Sequence, residues 1–475
     1  MLAVAAAFAA DPWADPVADR VAREARREGH DTLLGDGETA PHELAERGDV
    51  GELPEALRGE WAPVWAFRPY TRASGGDAVP DNLSGDTEPG YLTWVAGAEG
   101  ALYAGPLVAR VAPEAEVGLF EGFDEEARFQ TLWGGVDTGA IEAGFGKRDR
   151  WYGPGRHGAL VLSSNADAPW LGTASAEGRL PGWFDRLGRF RAEAGAGWLG
   201  RPRDDVERPG LLLMDLRWSP VPAFELGATR LSLFGGVGRP PVDFGQLLVP
   251  TEPHVYDDPD LSEPDQNELA ALDFRLCVPL RKWWALPVDH VEVWWQYGGE
   301  DVIGRKAGPI PYPSLAGVGN LYGGEVATGP VVVTVEYTRL MDDYFRWYVG
   351  HRVYHDGFTQ DGRVLGHFGG PDSETLFAAV AVEGSRARVR LWGDTVRRVG
   401  VIGVLRDKVF TFPEEEHRLR GAIDAQVAVS PAARLGGGAL VEDVTGEDFV
   451  PGADALRVRV WLGVEARVGG RLARD

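Results

Sequence analysis

After about residue 91, the chain alternates between apolar and polar positions over many short segments. In RFRAEAGAGW, residues 189–198, Arg189, Arg191 and Glu193 occupy one parity, and Phe190, three alanines and Trp198 occupy the other. The segments VVVTVEYTRL (331–340) and LRVRVWLGVEAR (456–467) alternate in the same way. Since successive side chains of a β-strand point to opposite faces, these segments predict strands with one apolar and one polar or charged face.

About seventeen segments of this kind follow residue 91, separated by clusters of Gly, Pro and Asp. The fold class predicted is therefore all-β. The alternation is typical of a soluble β-sandwich and of an outer-membrane barrel alike. The number of strands, their length of about ten residues and the Trp and Tyr residues at strand ends favour a large antiparallel transmembrane β-barrel with inward-pointing charge. One or two soluble β domains are the alternative.

The N-terminal region has a different character. Residues 1–10, MLAVAAAFAA, form an apolar run ending in small residues, which favours a remnant of a signal peptide and export. Residues 15–28 show helical spacing, and residues 71–90 have the composition of a linker. We therefore expect a small N-terminal periplasmic helical region with a linker over 11–90, followed by a barrel over 91–475.

The charge balance limits the partners. Lys and Arg number 48 against 72 Asp and Glu, giving a formal net charge of −24. Such a chain is not expected to bind nucleic acid, which requires clustered positive charge. Seven acidic residues and no Lys or Arg lie within 249–268, which predicts a long solvated loop on the outer side of the barrel.

Motifs for catalysis or cofactor binding are missing from the sequence. There is no nucleophile elbow, phosphate-binding loop or zinc-protease motif, and the single cysteine, Cys277, cannot form an internal disulfide and has no second thiol to complete a metal site. His351 and His355 fall in a segment that reads as a strand, which would hold them too far apart for one metal ion. Glu300, Asp301, Glu336 and Asp372 could form carboxylate pairs for glycoside hydrolysis, but we interpret them as lumen lining. The prediction is a protein that is not an enzyme, with no metal and no cofactor.

One stretch is locally basic and aromatic: FGKRDRWYGPGRHGALVLSSNADAP, residues 145–169. Arginine binds carboxylates through two parallel hydrogen bonds, and a tryptophan ring offers a stacking surface to a sugar. The hypothesis is therefore a site for an acidic polysaccharide, and the alternative is that the basic groups pair with lumen carboxylates while the aromatics join the membrane girdle. The segment ALVLSSNA, 159–166, reads as a barrel strand after a Gly-Pro-Gly turn. The candidate site residues are Lys147, Arg148, Arg150, Trp151, Tyr152, Arg156 and His157.

The same stretch resembles the Wzi family of capsule assembly proteins in its order of an F-G segment, an aromatic pair, G-P-G and a strand-like run ending in S-x-N-A. Further agreement follows in order along the chain. It comprises LFGGVGRP (233–240), QYGGED (296–301), VEYTRL (335–340) and GHRVYHDGFTQDGRVLGHFGGPDS (350–373).

This resemblance implies an outer-membrane barrel of about 18 strands with a small periplasmic helical bundle. It also implies a lectin-like role, in which the protein attaches capsular polysaccharide or exopolysaccharide to the cell surface. The expected surroundings are outer-membrane lipid, and the expected state is a monomer. Two alternatives stay open: a porin-like channel, which a charged lumen would equally allow, and an enzyme that modifies polysaccharide.

Overall fold

The structure of the chain is a computed structural model, in which parts of the sequence are described. These are residues 64–78, 92–119, 124–200, 203–242, 247, 265–307, 310–341, 347–349, 351–384, 386–405, 408–430, 432–466 and 468–471.

Most of the described chain is β-strand. The strands are β1 Val64–Gly76, β2 Leu92–Ala104, β3 Leu107–Leu119, β4 Asp124–Asp137, β5 Ile141–Lys147, β6 Trp170–Arg179, β7 Arg189–Trp198, β8 Gly210–Val221, β9 Phe224–Phe234, β10 Gln266–Val278, β11 His290–Ala307, β12 Ile310–Thr328, β13 Val331–Arg339, β14 Thr359–Gln360, β15 Arg363–Val364, β16 Ser373–Glu383, β17 Ala387–Leu405, β18 Lys408–Ser430, β19 Ala433–Thr445, β20 Ala455–Ala466 and β21 Val468–Arg471. Among the described residues, one short helix, α1, spans Leu280–Trp284, and 3-10 turns span Gly182–Leu187 and Glu447–Phe449.

The strands other than β14 and β15 form one antiparallel sheet that closes on itself. From β2 to β20 each strand of this sheet pairs with the one before it, and β1 pairs with β2 on one side and with β20 and β21 on the other. Because β20 and β21 follow one another along β1, the described wall is a closed barrel of 18 strands. The predicted fold class is confirmed. β14 and β15 form a separate two-residue hairpin.

The side chains alternate across this wall as the sequence patterns predict. On β13, Val333 and Val335 are exposed on the outer surface, whereas Glu336 is buried on the inner one. On β20, Leu456 and Val460 point outward and Arg459 points inward. An apolar outer band and a charged lumen are the arrangement of a transmembrane barrel.

The barrel begins earlier than predicted. β1 starts at Val64, so residues 71–76 belong to a strand and not to a linker, and the wall does not start at residue 91. The Gly- and Asp-rich composition that follows hides the alternation in β1, in which Arg68 and Arg72 point inward and Phe67 points outward.

The two ends of the barrel differ in the length of their connections. At one end the strands are joined by short turns such as Gly105–Pro106 and Gly329–Pro330, and the first residue of β1 lies at this end. At the other end lie long connections, including residues 148–169 and 340–372. Outer-membrane barrels have short periplasmic turns and longer extracellular loops, so the long connections lie at the extracellular end.

Several expectations fall outside the described residues. These are the signal-peptide remnant at 1–10, the helix at 15–28, and the acidic loop over 249–264; the last residues of that acidic segment, from Gln266, belong to β10. Within the described part of the chain, no helix has the length and apolar character needed to cross a membrane.

Candidate functional site

Two extracellular connections fold back into the barrel. We call residues 148–169, between β5 and β6, inner loop A, and the described residues 347–349 and 351–372, between β13 and β16, inner loop B. Inner loop A contains six of the seven candidate site residues; Lys147, the last residue of β5, is the seventh.

Inner loop A is not a barrel strand, which corrects the interpretation of ALVLSSNA. Residues 159–166 are buried without alternation, and the isolated bridge between Tyr152 and Leu162 is the β-pairing described for the loop. A continuously buried apolar run predicts a strand buried on both faces as readily as it predicts a loop enclosed in a lumen.

The basic groups at the start of inner loop A pair with two nearby carboxylates, one at the end of the same loop and one on the adjoining strand β5. Lys147 Nζ lies 2.6 Å from Asp167 Oδ1. The Arg148 guanidinium donates to both carboxylate oxygens of Glu142, at 2.5 and 3.2 Å, and lies 4.7 Å from the ring centroid of Trp133.

Arg150 is anchored in the same way by the next two strands. Its guanidinium donates to Thr173 Oγ1 on β6 at 2.8 Å and to Glu193 on β7 at 3.4 Å. Both Arg150 and Glu193 are buried, so this ion pair is shielded from solvent.

Trp151 and Tyr152 lie inside the barrel and not in a membrane girdle. Trp151 Nε1 donates to the Gly155 carbonyl at 3.1 Å, and both aromatic side chains are buried. Gln296 on β11 fixes the backbone here, because its amide donates to the Tyr152 carbonyl at 3.1 Å and accepts from Leu160 N–H at 2.9 Å. The prediction that these two residues join the membrane girdle is therefore wrong, because their loop lies in the lumen and not on the lipid face.

Glu336 on β13 binds the turn at the centre of inner loop A. Its carboxylate accepts hydrogen bonds from three consecutive backbone N–H groups, Arg156 at 2.7 Å, His157 at 3.2 Å and Gly158 at 2.9 Å. Trp294 Nε1 donates to the same carboxylate at 3.1 Å. Successive backbone N–H groups form a concave anion site, which the protein fills with its own side chain.

The side chains of this turn continue across the lumen. Arg156 donates to Glu292 on β11 at 2.6 Å, and its guanidinium lies 5.3 Å from the Trp294 ring centroid. The His157 ring stacks on Phe377 with a centroid distance of 3.9 Å, and its Nε2 lies 2.8 Å from Asp394 Oδ2 on β17. Inner loop A thus contacts strands on several sides of the barrel.

Inner loop B packs directly on inner loop A. The Tyr348 hydroxyl donates to the Leu160 carbonyl at 2.7 Å and accepts from His367 N–H at 2.8 Å. Burial raises the pKa of Tyr348, which keeps its hydroxyl protonated. Ser163 N–H donates to the Leu365 carbonyl at 2.7 Å. The segment containing His351 and His355 belongs to this loop and is not a strand, which corrects the prediction made for it.

The two loops enclose an apolar core at the extracellular half of the lumen. The wall contributes leucines from β8, β9 and β10, and the loops contribute large aromatic and aliphatic side chains. Its members include Tyr152, Leu160, Leu162, Leu211, Leu213, Leu231, Leu233, Leu269, Trp347, Tyr348, Tyr354, Phe358 and Leu365. Burial of so many apolar side chains stabilises the loops inside the barrel.

A third connection, the segment 203–209 between β7 and β8, covers inner loop B. Arg203 donates to both oxygens of Asp205, at 2.8 and 2.9 Å, and to the carbonyls of Gly357 and Thr359, each at 3.0 Å. Burial alone would raise the pKa of Asp205, but hydrogen bonds from Arg203 and from Val206 N–H outweigh it and lower that pKa.

The candidate site residues are therefore brought together, and of the two hypotheses for their charge, pairing with lumen carboxylates is what the structure describes. Six of the seven are buried, and Arg156 keeps 23% of its side chain exposed. The partner residues Glu142, Glu292 and Asp394 were not among the candidates. The strand alternation in the sequence indicates that these carboxylates face the lumen. It does not indicate which basic residue each of them pairs with.

A closed barrel with an apolar outer surface, a charged inner wall and an interior filled by its own extracellular loops defines a plugged outer-membrane β-barrel. The profile of the family described as capsule assembly protein Wzi matches residues 82–455. The chain belongs to this family.

Solved structures share the fold. Wzi from Escherichia coli, described as an outer membrane protein involved in group 1 capsule assembly and a carbohydrate-binding β-barrel, aligns with a TM-score of 0.66 and 18% identity over 95% of this chain and 98% of its own. OccD3 (OpdP) from Pseudomonas aeruginosa aligns with a TM-score of 0.51 and 10% identity, over 86% of this chain and 91% of its own. OprD from the same organism gives 0.50 and 7%, over 87% and 98%. No curated protein matches the chain.

Proposed function

We propose that this protein binds capsular polysaccharide or exopolysaccharide at the outer face of the outer membrane and helps to attach it to the cell. The observation that carries the proposal is the family match over residues 82–455, which spans most of the barrel and both inner loops. The carbohydrate binding described for Wzi of Escherichia coli supports a glycan as the ligand.

The filled interior supports binding over diffusion through a pore. Tyr152, Trp347 and Phe358 are fully buried inside the barrel, where a porin would hold water. A protein that holds a polymer at the surface has no need of a continuous aqueous path, whereas a diffusion channel requires one.

Within the basic cluster, we propose that Arg156 contacts the polysaccharide. Its guanidinium keeps a solvent-exposed surface and is oriented by Glu292 and the Trp294 ring. A carboxylate of an acidic polysaccharide is a suitable partner for an arginine held in this way. The other members of the cluster position inner loop A around Arg156. They are Lys147, Arg148, Arg150, Trp151, Tyr152 and His157.

We propose that the protein acts without catalysis. Glu336, a buried carboxylate in contact with inner loop A, accepts four hydrogen bonds from backbone and indole N–H groups. A carboxylate with its oxygens engaged in this way is a structural anchor and is poorly placed to transfer a proton to a substrate.

Deleting the gene tests the main proposal. We expect polysaccharide to move from the cell-bound fraction to the medium while total synthesis is unchanged, and plasmid-borne wild-type protein to restore it. An unchanged cell-bound fraction would show the proposal to be wrong. Shortening of purified capsule by the purified protein would show that it is an enzyme.

Replacing Arg156→Ala tests the contact. We expect weaker retention of acidic polysaccharide, with a larger loss at low salt because charges are then less screened. The matched variant is Arg150→Ala, which removes a buried arginine of the same loop. It should lower the melting temperature of the protein more than it weakens polysaccharide retention. Equal retention by wild type and Arg156→Ala would contradict the assignment.

We further propose that the protein is a monomer surrounded by outer-membrane lipid. Large apolar side chains are exposed on the outer face from β1 to β20, as lipid contact requires. Light scattering of the detergent-solubilised protein should give the mass of one chain; a multiple of that mass would contradict this.

A further inference from the structure

The outer face of β13 and β16–β19 carries a row of charged side chains at its extracellular edge. Across the ladder, Arg339 lies opposite Glu374, Glu374 opposite Arg397, and Arg397 opposite His417. All four have the outward parity, so they are directed away from the lumen and from both inner loops.

The rows below this one become apolar within two steps. The next row contains Tyr337, Leu376, Thr395, Leu419 and Asp443, and the rows after it contain valines, alanines, glycines, Leu391 and Ile423. The apolar rows are the lipid-facing band. The charged row therefore lies at the level of lipid headgroups, since charge on the lipid face is costly at depth and tolerated near the interface.

The charged side chains hold one another in place. Arg397 donates to Glu415 at 2.7 and 2.8 Å and to Glu374 at 3.2 Å. Tyr337 donates through its hydroxyl to Glu374 at 3.3 Å. A network with several partners is more ordered than an isolated surface ion pair.

Tyr337, Glu374 and Arg397 line a groove of about 500 Å³, a size typical of small-molecule sites. Its polar lining includes Glu374, Arg397, His417 and Asp443, and its apolar lining includes Leu376 and Leu419. The side chains remain accessible, because Arg397 is 41% exposed and His417 is 54% exposed.

We propose that this groove binds the saccharide headgroup of a glycolipid in the outer leaflet. The groove offers both donors and acceptors, which suits hydroxyl groups because each hydroxyl donates and accepts. Two carboxylates, Glu374 and Asp443, line the groove together with Arg397, Arg418 and His417. Carboxylates repel an anion, so the site is not built for a phosphate alone. Its continuity with the lipid-facing rows favours a membrane-anchored sugar over a free polymer.

The test uses the full chain in phospholipid nanodiscs, with purified lipopolysaccharide as the probe. We expect Arg397→Ala to weaken lipopolysaccharide binding by about tenfold or more. Thr395→Trp, which fills the groove and leaves every ion pair intact, should have the same effect. The matched control is Arg179→Ala, which removes an exposed arginine at the periplasmic end of β6.

Unchanged lipopolysaccharide binding by Thr395→Trp would overturn the proposal. So would an equal loss of binding to lipid-free capsular polysaccharide, because the groove would then be a polymer site. Capsule retention by cells producing Thr395→Trp is scored separately. Failure of the polysaccharide-attachment function is therefore distinguishable from failure of the glycolipid site.

Discussion

His157 of inner loop A lies 2.8 Å from Asp394 of β17, a residue 237 positions further along the chain. Asp394 also accepts two hydrogen bonds from Arg420 on β18, each at 2.8 Å. The loop that leaves the wall after β5 is thus attached to the wall on the far part of the sheet.

A double-mutant cycle should measure this attachment. We expect His157→Ala and Asp394→Ala each to destabilise the protein, and the double variant to lose less than the sum of the two. Contacting buried pairs commonly show coupling of about 0.5–3 kcal/mol. Chemical unfolding in detergent micelles provides the measurement, and strictly additive losses would show that the contact does not stabilise the fold.

Replacing Glu336→Ala should release inner loop A. The substitution removes the acceptor of three backbone N–H groups, and each buried donor left without a partner costs about 1–3 kcal/mol. We expect a lower melting temperature and new conductance steps in planar bilayers. Glu177→Ala, at a lumen residue paired with Arg189 and away from the inner loops, serves as the control. Wild-type conductance and melting temperature in Glu336→Ala would refute the anchoring role.

Gly158→Ala should separate the two inner loops. A Cβ at Gly158 would lie 2.0 Å from His367 Cδ2, so the ring of His367 must move. Gly178→Ala is the matched control, because a Cβ there meets nothing within 4 Å. We expect faster proteolysis of inner loop B in Gly158→Ala alone; equal cleavage of both variants would count against close packing of the loops.

His367 should make stability depend on pH. Burial, together with the nearby His157, lowers the pKa of His367 to about 3. An unfolded histidine has a pKa of about 6.5, so between these values the unfolded chain binds a proton that the folded chain does not. Stability is therefore full above about pH 6.5 and decreases as the pH falls towards 3, by up to about 1.4 kcal/mol per pH unit.

The variant His367→Asn tests this dependence, since its side-chain oxygen can accept the Gly369 N–H that the imidazole Nδ1 accepts. The melting temperature of the wild type should fall more steeply between pH 7 and pH 5 than that of the variant. Parallel slopes would show that His367 does not carry the effect.

The sequence by itself determined the wall. Alternation on segments such as β7 and β13 predicted which side chains face lipid and which face the lumen, because this pattern depends only on local strand geometry. It also supplied the family-like order of motifs, which the match over residues 82–455 confirms. It failed at β1, where glycine-rich composition concealed a strand.

Only the tertiary structure decided that inner loop A lies inside the barrel and is not a strand of its wall. The run from Ala159 to Ala166 has the composition of a strand, and the loop lies in the lumen because Glu336 and Asp394 meet it there. Those carboxylates come from strands that only barrel closure brings opposite β5. A contact across 237 positions depends on how the whole sheet closes and has no trace in local hydrophobic periodicity.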